Sequence, residues 1–354
     1  MAGILEYLTK AYEHQASDLF IVAGAPVCAK EDNQLRPLEE QKVLPDDTAR
    51  LVQELYELAG RPMDEFFERG DDDFSFSVKG LARFRVNTYR QRGSQAAVIR
   101  VVSFSIPDWR TLSIPESVIR LSEETHGMVL VTGTAGSGKS TTLACIINEI
   151  NCSRACHIIT LEDPIEYLHR NQKSIVSQRE IAIDTEDYLA ALRACLRQAP
   201  DVILLGEMRD AETIHTAMTA AETGHLVLAT LHTRGAVNTI DRIVDTFPGS
   251  QQDQIRTQLS MVLRTVVSQQ LLPGTNGELL PAFEVMKVNN AIRSMIRDKS
   301  KTMQIDNAIT SGGSEGMVSM DQSIVALYQK GLIAKQTALD YASSEENMKR
   351  KIGG

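Results

Sequence analysis

The sequence has no stretch of apolar residues long enough to cross a membrane. Its 354 residues are 43% hydrophobic, but the apolar runs are far shorter than the roughly 20 residues that a transmembrane helix requires. The opening "MAGILEYLTKAYEHQ" carries Glu6 and lacks a basic leader, so it does not have the form of a secretory signal. We therefore expect a cytoplasmic protein.

Cysteine and positive charge are also scarce. The five cysteines are an odd number in a long chain, which favours reduced thiols over a disulfide scaffold. Lys and Arg total 37 against 46 Asp and Glu, which gives a formal net charge of −9. A protein that coats nucleic acid neutralises phosphates with an excess of basic residues. The composition argues against that function but leaves a local basic patch or pore open.

Alternating residues in the first hundred positions predict antiparallel strands. "FSFSV" (74–78) and "RFRVNTY" (83–89) alternate, "AAVIRVV" (96–102) is rich in β-branched residues, and only short turns separate the three. Helical patterns precede them at 4–13 and around 48–58. We predict a small α+β domain over residues 1–103, followed by a linker over 104–113, where Pro107 and polar residues break the pattern.

The remaining residues, 114–354, are predicted to form an α/β domain. Apolar strands in "MVLVTG", "HIITLE", "DVILLGE" and "LVLATLH" alternate with helical stretches such as "KSTTLACIINEI". Continuous apolar strands separated by helices are typical of a parallel sheet covered on both faces. From about residue 252 the pattern is mostly helical, with amphipathic "AIRSMIRD" and "MDQSIVALYQKGLI".

A phosphate-binding loop follows the first of these strands. "GTAGSGKST" fits G-x-x-x-x-G-K-[ST] between a strand and a helix, which is the context that the motif requires. Its glycines let backbone N–H groups turn toward phosphate oxygens, and the positive end of the following helix adds to the attraction. Lys139 would reach the β- and γ-phosphates, and the Ser140 hydroxyl would ligate Mg²⁺. The residues predicted to bind ATP are Gly133, Thr134, Ala135, Gly136, Ser137, Gly138, Lys139, Ser140 and Thr141.

Acidic residues follow two other apolar strands. Glu207 comes after "VILLG", which we place beside the P-loop strand, with the acid at the carboxyl end where open α/β sheets bind ligands. An acid there can hold Mg²⁺ or its water. Because a carboxylate that binds the metal is a weakened base, we expect others to converge, and "HIITLEDPIEYLH" supplies Glu162, Asp163 and Glu166. A solvated acidic loop is the alternative.

Two histidines bracket the strand in "HLVLATLHT". His225 precedes the strand and His232 follows it. A lone histidine is more often structural, but one at the exit of a core strand can contact a γ-phosphate. We predict this role for His232.

Six ordered motifs carry a resemblance to a known family. They are "SDLFIVAGAP", "TGTAGSGKSTT", "LEDPIEYLH", "LLGEMRD", "TAAETGHLVLATLHT" and "AIRSMIRD". They cover nearly the whole chain, which resembles the secretion-type hexameric ATPases and, among them, the retraction motors of type IV pili. The resemblance implies a RecA-like P-loop ATPase domain in the α/β class, preceded by a small PAS-like α+β domain.

The resemblance also implies roles for individual residues. Glu207 would be the Walker B acid on Mg²⁺ and water, Glu166 would activate the attacking water with Glu162 and Asp163 nearby, and His225 and His232 would belong to a histidine box. Arginines on the strands of the first domain would reach the nucleotide of a neighbouring subunit, and the matching candidates are Arg83, Arg85 and Arg100. The first two share one face of a strand, so a solvated basic edge is the alternative for them.

The implied protein is a homohexameric, Mg²⁺-dependent ATPase at the cytoplasmic face of the membrane. It would act on an inner-membrane pilus platform protein, with a paralogous pilus ATPase as a further potential partner and no direct contact with nucleic acid. Departures from the family pattern are Thr134-Ala135 in the P-loop and Ser294-Met295 in "AIRSMIRD". The alternatives are an accessory retraction ATPase, an extension or type II secretion ATPase, and, in a different class, a nucleic-acid translocase. The segment "LRQAPD" is similar to a segment of the accessory retraction ATPases.

Overall fold

The computed structural model describes residues 2–31, 34–102 and 105–353. The chain divides into two compact units: a first unit of Met1–Ser105 with Glu166–Leu168, and a second unit of Ile106–Ile165 with His169–Gly354. Ser103 and Phe104, where the predicted first domain ends and the predicted linker begins, lie outside the described residues. No helix in the described ranges combines the length and the apolar character needed to span a bilayer.

The first unit is a six-stranded antiparallel sheet with helices packed against it, in the order β3-β2-β1-β6-β5-β4. Its helices are α1 (Ile4–Glu13), α2 (Pro45–Ala59) and α3 (Asp64–Arg69), and its strands are β1 (Asp18–Ile21), β2 (Pro26–Glu31), β3 (Gln34–Lys42), β4 (Asp71–Val78), β5 (Ala82–Gln91) and β6 (Ser94–Val102). The predicted meander β4–β6 is confirmed. The first three strands were not predicted, because β1 has only 4 residues and β3 is largely exposed and polar.

Alternation in β5 separates a buried face of this sheet from a polar one. Phe84 and Val86 lie in the core with Ile99 of β6. The intervening Arg83 and Arg85 lie on the opposite face.

The second unit is built on a seven-stranded sheet in the order β13-β12-β7-β11-β10-β8-β9, parallel except for the antiparallel edge strand β13. The strands are β7 (Gly127–Thr132), β8 (His157–Glu162), β9 (Ile175–Glu180), β10 (Val202–Leu205), β11 (Leu226–Leu231), β12 (Leu263–Pro273) and β13 (Leu279–Lys287). The helices are α4 (Glu116–Ile119), α5 (Lys139–Ser153), α6 (Tyr188–Cys195), α7 (Ala211–Glu222), α8 (Ala236–Asp245), α9 (Gln252–Val262), α10 (Asn290–Arg297), α11 (Ile305–Ser311), α12 (Met320–Gln329), α13 (Lys335–Tyr341) and α14 (Glu345–Ile352).

Both faces of this sheet are buried, as the apolar strands predict. In β7, Met128 and Leu130 face a core that α6 to α9 complete, whereas Val129 and Val131 face a core completed by α5. The predicted apolar face of α5 is confirmed by the burial of Leu143, Ile146, Ile147 and Ile150. Packing on two sides holds the strand ends rigidly at one edge of the sheet.

The strand order corrects one prediction. β10 does not lie beside the P-loop strand β7, because β11 lies between them and pairs with both. Every residue of β7, β10 and β11 is buried, so their hydrophobicity contains no information about which strand is central.

The prediction for the region from residue 252 onward is also corrected. It was predicted to be mostly helical, yet β12 and β13 follow α9 and extend the sheet. Ser268 and Gln269 in the middle of β12 are polar but buried. They interrupt the apolar pattern that would otherwise indicate a strand.

Candidate nucleotide site

The P-loop is folded tightly between β7 and α5. Gly133 has φ 147° and a side chain there would collide with the carbonyl oxygen of Gln269. At Gly138, where φ is 86°, a Cβ would lie 2.8 Å from Nε2 of Gln269. Both positions therefore require glycine for conformation and for space.

The polar groups of this loop suit a phosphate ligand. Lys139 is buried, and its Nζ donates to the carbonyl oxygens of Gly133 at 2.8 Å and Thr134 at 2.9 Å, so the ammonium lies across the loop. Within the described residues, the buried hydroxyl of Ser137 has no hydrogen-bond partner. A buried hydroxyl without a partner is costly, and phosphate oxygens would remove that cost. Ser140 is the second residue of α5 and is partly exposed, as are Thr134 and Thr141, while Ala135 and Gly136 are exposed.

Gln269 is a site residue that the sequence pattern did not reveal. It is buried on β12, its backbone and amide pack against the two glycines, and its Oε1 accepts the hydroxyl of Thr142 on α5 at 2.8 Å. It therefore holds both ends of the P-loop. The signal in the sequence was a pair of glutamines inside an apolar run, "VVSQQLL", but only the sheet order shows that this run lies beside β7.

Glu207 lies at the carboxyl edge of the sheet with two basic partners. β10 ends at Leu205, and Glu207 Oε2 accepts from Nε of Arg209 at 2.7 Å while Oε1 lies 3.3 Å from Nε2 of His232. The hydrogen bond to Glu207 raises the pKa of Arg209. The side chain of Glu207 is 18% exposed, whereas that of Arg209 is 64% exposed, so the arginine covers the carboxylate from the solvent side.

Asp210 has a structural role at the start of the next helix. Its Oδ1 accepts from the backbone N–H of Thr213, and its Oδ2 from the hydroxyl of Thr213, both at 2.8 Å. It is the N-cap of α7, and α7 begins immediately after the Glu207 turn. The cap thus fixes the end of the turn that begins at Gly206.

The acids that follow β8 divide into two groups. Glu162 is partly buried and accepts from the hydroxyl of Thr160 at 2.6 Å and from Nε2 of Gln178 at 3.2 Å. Asp163 is exposed. Glu166 is also exposed, belongs to the first unit, and makes no hydrogen bond or ion pair within the part of the chain that the structure describes.

Tyr188, the first residue of α6, is a second site residue that the sequence pattern did not reveal. Burial raises the pKa of Tyr188, and the charges of Asp163, Glu207 and Glu162 raise it further. A Cβ on Gly206 would lie 2.8 Å from its hydroxyl oxygen. Tyr188 follows Asp187, the N-cap of α6, and nothing in this local pattern indicates that the tyrosine contacts the end of a strand.

The two histidines lie at opposite ends of β11. His232 follows the strand and reaches Glu207, whereas His225 precedes it, and its Nδ1 lies 2.9 Å from the carbonyl oxygen of Ala220. Six strand residues separate them, or about 20 Å at roughly 3.3 Å per residue. The structure therefore brings His232 to the site but does not bring His225 there.

The three candidate arginines share the polar face of the first unit's sheet. Arg85 and Arg100 are paired across β5 and β6, and Arg83 lies two residues before Arg85. Arg83 and Arg85 are partly buried. Nε of Arg100 donates to Oδ1 of Asp18 at 3.1 Å, so this guanidinium already has a carboxylate partner.

The chain is similar in sequence and in fold to several known proteins. A family model described as "Type II/IV secretion system protein" matches residues 2–276. The type IV pilus retraction ATPase PilT of Pseudomonas aeruginosa is 42% identical over 349 residues, which are 97% of this chain and 99% of the relative. The type IV pilus ATPase PilU of the same organism is 36% identical over 340 residues, or 96% and 88%. A crystal structure of the pilus retraction motor PilT with bound ADP superimposes with a TM-score of 0.89 at 43% identity, covering 99% of this chain and all (100%) of that one.

Proposed function

We propose that this protein, which belongs to the type II/IV secretion system protein family, is an ATP-hydrolysing motor for type IV pilus retraction. The observation that carries the proposal is the convergence of Lys139, Glu207 and His232 at one edge of the sheet. It occurs in a chain that aligns with a retraction ATPase over 97% of its length.

The P-loop would bind the triphosphate of ATP. Lys139 would exchange its two carbonyl partners for β- and γ-phosphate oxygens, and the hydroxyl of Ser137 would gain an acceptor. Ser140 and Glu207 are the residues that would hold Mg²⁺, which would supply charge neutralisation at the phosphate oxygens. Gln269 would keep the loop closed around the phosphates, since it contacts both glycines and the first turns of α5.

The opposite side of the γ-phosphate would be formed by the acids and His232. Glu207 would hold the metal and its water, and release of its contact with His232 would report the arrival of a γ-phosphate. We assign activation of the attacking water to Glu166, with Glu162 and Asp163 in support, because the carboxylate of Glu166 is exposed and has no partner in the described residues. His225 is proposed to stabilise the far end of β11 rather than to act at the phosphate.

We further propose that catalysis requires a homohexamer. Arg83, Arg85 and Arg100 would then approach the nucleotide of a neighbouring subunit, and Arg100 would have to leave Asp18 to do so. Arginine fingers are worth about 10³ to 10⁵ in rate, so an isolated protomer should be nearly inert. The ATPase rate per chain, measured across a dilution series, should fall as the ring dissociates. A rate that does not change with dilution would contradict assembly of the site between subunits.

In the cell, the hexamer would work at the cytoplasmic face of the membrane on an inner-membrane platform protein, with a paralogous pilus ATPase as a further partner. Coupling would come from rigid-body movement of domains when the nucleotide is hydrolysed. The hexamer is not expected to bind nucleic acid directly. The net charge of −9 argues against a nucleic-acid translocase. The ATPase activity of such a translocase would be stimulated by single-stranded nucleic acid.

Deletion of the gene tests the proposal, with rescue by the wild type or by Glu207→Ala. Surface pili should persist in the deletion strain and in the Glu207→Ala strain, while twitching motility is lost and only the wild type restores it. Loss of the pili themselves would instead indicate an extension motor. Retention of twitching would indicate an accessory role, as the similarity to PilU allows.

A further inference from the structure

Glu284 is a buried carboxylate outside the nucleotide-contacting residues, and it connects two helices. It lies on β13, is only 8% exposed, and accepts from the backbone N–H of Ala236 at 2.8 Å and of Met320 at 3.4 Å. Ala236 and Met320 are the first residues of α8 and α12. A negative charge at a helix N-terminus is stabilised by unpaired N–H groups and the helix dipole, and here one carboxylate serves two helices.

The start of α8 is also the end of the histidine loop, which we define as residues 232–235. At one end of this loop His232 lies against Glu207, and at the other end the backbone N–H of Gly235 donates to Oγ of Ser268 at 2.9 Å. Ser268 and Glu284 are register partners in the β12–β13 pair. Two neighbouring strand residues therefore hold two successive backbone N–H groups, those of Gly235 and Ala236.

The remaining contacts make the loop short and stiff. Oγ1 of Thr233 lies 2.7 Å from Oγ1 of Thr239 on α8. Only three residues separate His232 from the N–H that Glu284 binds. A shift of the first turn of α8 must consequently move His232 relative to Glu207.

We propose that Glu284 is a positioning residue for ATP hydrolysis, which fixes the histidine loop through Ala236 and ties it to α12 through Met320. The inference rests on the proposed ATPase function. Burial raises the pKa of Glu284, and the two backbone hydrogen bonds oppose that shift. α12 has separate contacts with β13, including a hydrogen bond from the N–H of Phe283 to Oγ of Ser323 at 3.1 Å. Loss of the carboxylate should therefore leave α12 attached to β13, while it removes one of the two hydrogen bonds that tie residues 235 and 236 to β12 and β13.

The first test is Glu284→Gln in the full-length assembly. A glutamine of the same size can accept from one of the two N–H groups but would direct its own NH₂ at the other. We expect kcat for ATP to fall about tenfold, while KM and the affinity for a non-hydrolysable ATP analogue stay within about twofold. The control is Glu278→Gln, an exposed glutamate in the turn of the same hairpin, which should retain the wild-type rate.

A second variant keeps the proposal testable if Glu284→Gln does not fold. Ser268→Ala removes only the acceptor for the N–H of Gly235 and should lower kcat in the same direction, with nucleotide affinity preserved. Glu284 also lines a cavity of about 710 Å³, so water can hydrate an altered side chain, and we expect both variants to assemble.

A double-mutant cycle with His232→Ala separates positioning from general damage. If Glu284 acts through His232, adding Glu284→Gln to His232→Ala should lower kcat by less than about twofold further. If the kcat losses of the two single variants multiply in the double variant, or if Glu284→Gln has the wild-type kcat, the inference is overturned while the proposed function stays intact. Absence of ATPase activity in the wild type and in Glu278→Gln would refute the proposed function itself, and the inference with it.

Discussion

Gly206 is a position where the structure predicts a large effect of a single methyl group. A Cβ there would lie 2.8 Å from the hydroxyl oxygen of Tyr188, 3.2 Å from the carbonyl oxygen of Leu161 and 3.3 Å from Cα of Glu162. The backbone has little freedom to retreat, because the N–H of Gly206 donates to that same carbonyl at 2.7 Å and its own carbonyl accepts from the hydroxyl of Thr230. Gly206→Ala should consequently displace Glu207 or push Tyr188 aside.

The cost of overpacking a tight site is about 1 to 3 kcal/mol. For a unit of this size that corresponds to a fall in melting temperature of several degrees, at about 2 to 4 °C per kcal/mol. Misplacement of a catalytic group by about 1 Å can cost about a hundredfold in rate. We therefore expect Gly206→Ala to melt several degrees lower and to hydrolyse ATP about ten to a hundred times more slowly.

Removal of the closest obstacle should restore part of both losses. Tyr188→Phe deletes the hydroxyl oxygen, so the double variant Gly206→Ala/Tyr188→Phe should recover relative to Gly206→Ala, with Tyr188→Phe alone measured as the baseline of the cycle. Gly249→Ala is the matched control, because a Cβ there has no atom within 4 Å. The test compares the melting temperatures and steady-state ATPase rates of the wild type and these four variants. A Gly206→Ala protein equal to the wild type, or no recovery in the double variant, would refute the reasoning.

Three further predictions concern single side chains. Gln269→Leu keeps the approximate size of the side chain but cannot accept a hydrogen bond from the hydroxyl of Thr142. The Kd for a fluorescent ATP analogue should therefore rise about tenfold. An unchanged Kd would show that Gln269 does not shape the P-loop. Asp210→Ala removes the N-cap of α7 and should lower the free energy of unfolding by about 1 kcal/mol, measured by thermal or denaturant unfolding. Asp210→Asn can still cap the helix and should keep most of that stability. Equal losses in the two variants would argue against capping. Burial raises the pKa of Cys145 and of Cys195 to about 11, so a maleimide at pH 7 should modify the exposed Cys152 first, and mass spectrometry showing faster modification of Cys195 would contradict that packing.

Local patterns predicted those parts of the protein that local physics determines. Alternation and helical periodicity predicted the meander of β4 to β6 and the helix α1, whose bounds Ile4–Glu13 match the predicted 4–13. The P-loop is also local, since its glycines, lysine and following helix are adjacent in sequence. Its place between a strand and a helix was predictable for that reason.

Long-range packing determined the parts that the sequence did not predict. Equally apolar strands do not reveal that β11 separates β7 from β10, and that order puts His232 beside Glu207. Gln269 and Glu284 are buried polar residues whose partners lie on other elements, so they interrupt an apolar pattern without revealing why. The partner of Arg209 lies only two residues away, but a turn rather than a periodic element brings the two side chains together.

Glu207 is proposed to act on bound ATP at the edge of the sheet beside the P-loop. The most direct measurement compares ATP binding and ATP hydrolysis in full-length assemblies of the wild type, Glu207→Gln, and the control Glu222→Gln, whose exposed glutamate lies at the end of α7. We predict that Glu207→Gln binds ATP within about threefold of the wild type but hydrolyses it about a hundredfold or more slowly, while Glu222→Gln matches the wild type in both. Hydrolysis by Glu207→Gln at the wild-type rate would contradict the account.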